Sequence, residues 1–87
     1  MLSLLAECTI LMIKIIHDMY RDRKITYEEL NHLTKLKIEF LYYNFDKLSL
    51  FEKQDAEDIL NEHEKLLIQG SYSQIINPLH KSADIIQ

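Results

Sequence analysis

The chain has 87 residues, a net charge of −4, and only one glycine, one proline and one cysteine. A chain this short forms one domain with a small core. Its single cysteine excludes an intrachain disulfide that could stabilise this core. Basic residues concentrate on no face, which argues against nucleic-acid binding. With 12 isoleucines, 14 leucines and almost no turn residues, the sequence predicts an all-α fold. We expect a small antiparallel helical bundle of three main helices plus a short C-terminal helix, forming a single helical domain over residues 1–87.

The first twenty residues are the most apolar part of the chain, with 14 apolar side chains. Glu7 and Lys14 interrupt this run, and the absence of 18 consecutive uncharged residues predicts no membrane span. The run also lacks a basic leader and a small-residue cleavage site, so we predict a cytoplasmic protein. We interpret Cys8 as a small buried hydrophobe, and a lone reduced thiol suits the cytosol.

Helix 1 is predicted over residues 3–22, with an apolar arc about twice as wide as that of an ordinary surface helix. Its polar side chains fall in one strip about 100° wide at 100° per residue. Such a helix must touch partners on more than one side. The sequence therefore predicts self-association as a homodimer. The expected oligomer interface comprises Leu5, Met12, Ile16 and Met19.

Two capping boxes, S/T-x-x-E, place the next helix starts. Thr26 and Glu29 predict helix 2 over residues 27–46, supported by a hydrophobic staple between Ile25 and Leu30. Ser49 begins the second box, which predicts helix 3 over residues 50–69.

The only glycine and the only proline are expected to divide the rest of the chain. Gly70 falls where a left-handed residue commonly ends a helix. Asn77-Pro78 is typical of a helix start, which predicts the C-terminal helix over residues 78–86. The apolar side chains of this tail could dock on a groove of the same chain or of another molecule.

The first turn contains a pattern that resembles an EF-hand calcium loop. Asp18, Asp22 and Glu29 occupy the first, fifth and twelfth positions of such a loop. Tyr20 replaces a small oxygen ligand and Arg23 replaces the usual glycine, so the pattern departs from the motif at two important positions. We interpret the turn as an ordinary helical hairpin and predict no metal site. A degenerate, Ca²⁺-responsive hairpin is the alternative.

His63 lies in the middle of the apolar stripe of helix 3. It is interpreted as a core histidine bonded to a hydroxyl or carbonyl of another helix. The alternative is a pH-responsive contact or a polar group that fixes packing register. No nucleophile, phosphate-binding loop or cofactor motif is recognisable, so we predict a protein that is not an enzyme and needs no cofactor.

The remaining candidates are contacts for a partner protein. Helix 3 carries an acidic face, and a tyrosine pair lies in the aromatic half of helix 2. The expected partner-binding residues are Glu57, Asp58, Glu62, Tyr42 and Tyr43. The leading hypothesis is a small interaction module, a regulator or inhibitor that acts by binding a partner protein. A protective or anti-host factor, such as a bacteriocin-immunity protein or a phage-encoded inhibitor, is a further alternative, by analogy with other small helical proteins.

Overall fold

The computed structural model describes the backbone of residues 2–86 and the side chains of residues 2–72. Within these residues it contains helices α1 (Leu2–Arg21), α2 (Tyr27–Asn44) and α3 (Leu50–Ile86) and no strand. A single 3₁₀ turn, Phe45–Lys47, connects α2 to α3 in this described part. The chain is therefore all-α. None of its described helices is both long and apolar enough to cross a membrane.

The chain begins α2 and α3 with the two capping boxes. The Glu29 backbone N–H donates to Thr26 Oγ1 at 3.1 Å, and the Thr26 N–H donates to Glu29 Oε1 at 2.8 Å. Ser49 and Glu52 repeat this exchange at 3.3 and 2.9 Å. Each box pairs N–H groups that the first helical turn leaves free, which stabilises the helix by about 1 kcal/mol.

Helix α1 ends in a Schellman motif. The Lys24 N–H donates to the Met19 carbonyl at 2.8 Å, and the Arg23 N–H donates to the Tyr20 carbonyl at 3.0 Å. Arg23 has a φ of 61°, the left-handed conformation that this motif requires and that glycine adopts most easily. The chain turns here without a glycine.

The core consists of two clusters of buried apolar side chains. The larger cluster fills the half that contains the N-terminus of α1 and comprises Ala6, Ile10, Ile13, Leu41, Leu48, Ala56, Ile59 and Leu60. The smaller cluster, Ile16, Leu30 and Leu66, lies near the turn between α1 and α2. Ile25 packs against the smaller cluster, which also contains Leu30, its predicted staple partner.

The predicted helix end at Gly70 is wrong. No described glycine has a positive φ, and α3 continues through Gly70 to Ile86. Gly70 instead permits a close approach, because a Cβ at this position would overlap the Tyr27 ring and lie 2.8 Å from the Tyr20 hydroxyl. The Tyr27 hydroxyl donates to the Leu67 carbonyl at 3.1 Å, which holds the ring against α3. The glycine is needed for packing between α2 and α3.

The backbone of α3 also continues through the predicted break at Asn77-Pro78, so the described backbone has no separate helix over 78–86. The predicted docking of the apolar tail involves side chains that lie outside the described residues.

Candidate functional site

The polar strip of α1 faces α3. Among the side chains that the structure describes, three pairs join these helices, and we call them together the α1–α3 seam: Ser3–Glu52, His17–His63 and Arg21–Glu62. Their order shows that α1 and α3 run in the same direction. The polar side chains of the most apolar helix therefore form contacts with α3.

The middle of the seam is a buried histidine pair. His17 is fully buried and His63 is 6% exposed, and His17 Nε2 lies 2.9 Å from His63 Nδ1. The two rings are nearly parallel, with 11° between their planes. One nitrogen must donate and the other accept, so the accepting imidazole is neutral. His17 Nδ1 is buried without a hydrogen-bond partner in the described residues.

This environment opposes protonation. Burial, and then the neighbouring His63, lower the pKa of His17 to about 4. Burial also lowers the pKa of His63. At neutral pH both rings are therefore uncharged, and one neutral ring donates its N–H to the free nitrogen of the other. His63 lies in the core as predicted, but its partner is a histidine rather than a hydroxyl or carbonyl. His17 could not be predicted as this partner, because nothing in its spacing indicates which helix it faces.

A polar cleft of about 370 Å³ lies beside His17 on the α1–α3 side. Its charged lining consists of Lys14, Asp18, Arg21, Asp58 and Glu62. Arg21 binds both Asp18 and Glu62, and its hydrogen bond lowers the pKa of the Glu62 carboxyl. Because the charges are mixed and partly paired, the cleft selects no single ligand class.

The opposite side of α1 is apolar, and no residue in the described part of the chain covers it. Six exposed residues, which we call the outer stripe, lie along it: Leu4, Leu5, Cys8, Leu11, Met12 and Ile15. The five besides Cys8 are 48–60% exposed. By helical position the stripe is about 120° wide and faces away from α3.

The predicted interface coincides with the outer stripe only in part. Leu5 and Met12 belong to it, and Met19 is half-buried beyond its end. The prediction that Ile16 belongs to the interface is wrong, because Ile16 is buried against Leu30 and Leu66. The predicted burial of Cys8 is also wrong, since its thiol is exposed. Leu4, Leu11 and Ile15 were not among the predicted interface residues, although the spacing 4, 8, 11, 15 indicates one face of a helix.

Helix α2 extends this apolar surface. Tyr27 and Tyr42 mark the side of α2 that faces α3, since Tyr27 bonds to Leu67 and Tyr42 lines a cleft with α3 residues. Leu33, Leu36 and Phe40 lie on the other side, next to α1 by helical position; Leu33 and Leu36 are exposed, and Phe40 is half-buried against the larger core cluster. Leu36 is 75% exposed. We call the outer stripe together with Leu33, Leu36 and Phe40 the outer face.

The predicted partner-binding residues do not form one surface. Asp58 and Glu62 line the cleft beside His17, where Glu62 binds Arg21. Glu57 instead shares a cleft with Tyr42 on the α2 side of α3. Tyr43 is 85% exposed and lies about 100° from Tyr42 around α2.

The EF-like turn uses its acidic side chains locally. Asp18 binds Arg21 at 3.0 Å, and Glu29 caps α2 through Thr26. The described residues contain no group of three or more His, Cys, Asp or Glu side chains that could hold a metal ion. Asp22, the third candidate, lies exposed in the turn.

Comparisons of this chain with protein-family models, with curated proteins and with solved structures find no match. The geometry of the chain itself therefore indicates its function.

Proposed function

We propose that this protein is a cytoplasmic protein–protein interaction module, an antiparallel helical bundle that self-associates through its outer face. The observation that carries the proposal is the outer stripe, in which six neighbouring apolar or thiol-bearing side chains are exposed on one helix. Scattered exposed apolar residues are normal on a monomer, but a contiguous apolar patch is typical of an interaction site.

A second copy of the chain is the occupant that this face fits best. An interface across a twofold axis must be self-complementary, and a helix with a continuous apolar stripe meets this condition. Leu33, Leu36 and Phe40 widen the contact beyond one helix, which brings it closer to the area that a stable dimer buries. The exposed Cys8 thiol within the stripe supports a reducing, cytoplasmic location.

Light scattering after size-exclusion chromatography tests the proposal. The wild-type chain should run as a dimer at high micromolar concentration, and Leu11→Glu should give a folded monomer, because it would bury a carboxylate in the contact. The matched control is Leu50→Glu, an exposed leucine on α3 outside the outer face, which should remain dimeric. A wild-type mass of 10.4 kDa at every concentration would contradict the proposal.

A further inference from the structure

The outer stripe follows the heptad spacing of a helix that pairs with another helix. Leu4, Cys8, Leu11 and Ile15 are separated by four, three and four residues, as the a and d positions of a coiled coil are. In this register Leu5 and Met12 occupy one flank, toward α2. The flank on the other side is formed by Glu7 and Lys14.

The flanking charges distinguish the two possible orientations. In an antiparallel pair, a positions oppose d positions, so Leu4 faces Ile15 and Cys8 faces Leu11 of the second copy. Glu7 then lies beside Lys14 of the second copy. The twofold axis repeats every contact, which gives four apolar layers and two attractive ion pairs.

A parallel pair would place the same charges against apolar side chains. In a parallel pair, the charged flank of one copy lies beside the apolar flank of the other. Glu7 would then meet Met12 and Lys14 would meet Met19 of the second copy. Both charges would lose water without gaining a partner, which is unfavourable.

Glu7 and Lys14 are available for this role. Both are exposed, and the ion pairs within the described residues join Arg21 to Asp18 and to Glu62. Glu7 and Lys14 line a cleft between α1 and α3, together with Leu11 at the edge of the outer stripe and with Glu52 and Asp55 of α3. Their positions on α1 place them at the rim of a contact centred on the stripe.

We propose that α1 pairs with α1 of a second copy in antiparallel orientation, with Leu4 opposite Ile15 and Glu7 opposite Lys14 of the second copy. This inference rests on the self-association proposed above and adds its orientation and register.

Charge variants test the pairing of Glu7 with Lys14. Glu7→Lys and Lys14→Glu each convert two attractive contacts into two repulsive ones, so each should weaken its own dimer about tenfold. An equimolar mixture of the two variants should form heterodimers in preference to either homodimer, and the double variant E7K/K14E should regain wild-type affinity. The matched controls Glu57→Lys and Lys35→Glu change net charge equally outside the contact and should change the dissociation constant less than twofold.

Disulfide formation tests the orientation independently. In a C8S background, Leu4→Cys alone should give no covalent dimer, because antiparallel pairing separates the two Leu4 positions by about 16 Å along the axis. Adding Ile15→Cys should produce one. A covalent dimer from C8S/L4C alone, or E7K and K14E dimers as tight as wild type, would overturn the antiparallel register while leaving self-association standing. A chain that never dimerises would overturn both proposals.

Discussion

The side of α1 that faces α3 and the side that faces away from it carry side chains of opposite chemistry. On the α1–α3 seam, polar side chains are buried and paired, as His17 is with His63. On the outer stripe, apolar side chains such as Leu11 and Ile15 are exposed and unpaired. A helix in a self-contained monomer normally presents polar side chains to water, whereas α1 exposes this apolar stripe in addition to the apolar side chains that it buries in the core.

This difference shows what each side contributes. Buried polar pairs contribute little net stability but allow few alternative packings, because a misplaced partner leaves a buried group unsatisfied. An exposed apolar side contributes nothing to the stability of the monomer and becomes favourable only when another surface covers it. We therefore infer that the seam fixes how α1 sits on α3, and that the outer face serves association.

The largest expected effect on the free energy of unfolding is at Ile13, and Ile15, two positions further along α1, is its comparison. Ile13 is fully buried and Ile15 is 58% exposed. Ile13→Ala should lower the free energy of unfolding by about 3 kcal/mol, because it removes buried methylene groups and leaves a cavity. Ile15→Ala should change it by less than about 0.5 kcal/mol in dilute protein.

Urea denaturation at several protein concentrations measures both variants. The effect of Ile15→Ala should grow with protein concentration as the dimer contributes to stability, whereas the effect of Ile13→Ala should stay nearly constant. Equal losses for the two variants in dilute protein would mean that the two sides of α1 are not as different as their exposure indicates.

The second prediction concerns the response of the seam to acid. Because the pKa of His17 is about 4 in the folded chain and about 6.5 when unfolded, the unfolded chain binds more protons between these values. The free energy of unfolding should therefore fall as pH falls through this window, by about 2 kcal/mol at pH 5 relative to pH 7.5. The lowered pKa of His63 acts in the same direction.

Thermal or urea unfolding between pH 7.5 and pH 4.5 checks this prediction. The matched control is the double variant H17L/H63L, which replaces both members of the pair with apolar side chains of similar size and should fold with nearly unchanged stability at pH 7.5. Its stability should stay nearly constant down to pH 5. A double variant as acid-sensitive as the wild type would assign the effect to other groups.

Much of the fold could be predicted from the sequence because its signals are local. Both capping boxes join residues three positions apart, and the apolar composition indicates helices regardless of how they pack. The role of Gly70 could not be predicted in this way. A glycine at position 70 matches a helix end by local rules, but the contact that requires it comes from Tyr27, 43 positions earlier in the chain.

The candidate site was harder to predict for a related reason. The apolar arc of α1 is so wide that periodicity alone does not show which part faces the core, so the predicted interface was centred too close to Ile16. The histidine pair could not be predicted without knowing which sides of α1 and α3 meet. The Schellman turn at Arg23 has no glycine to indicate it.

The smallest expected effect is at the exposed end of the seam. Arg21 and Glu62 form an ion pair whose side chains are 41% and 37% exposed. Arg21→Gln should lower the free energy of unfolding at pH 7.5 by less than about 1 kcal/mol, since water and salt screen such pairs. Raising the salt concentration should reduce the difference between variant and wild type.

The same variant should alter the acid response of the histidine pair. Arg21 lowers the pKa of His17 and Glu62 raises it. Arg21→Gln removes the cation and leaves the Glu62 carboxylate unpaired beside His17, so the pKa of His17 in the folded chain should move up toward 6.5. The variant should therefore lose less stability between pH 7.5 and pH 5 than the wild type, although it starts from a slightly lower value. An unchanged loss would show that the charges at the end of the seam do not act on the buried pair, and a steeper loss would show that they act with the opposite sign.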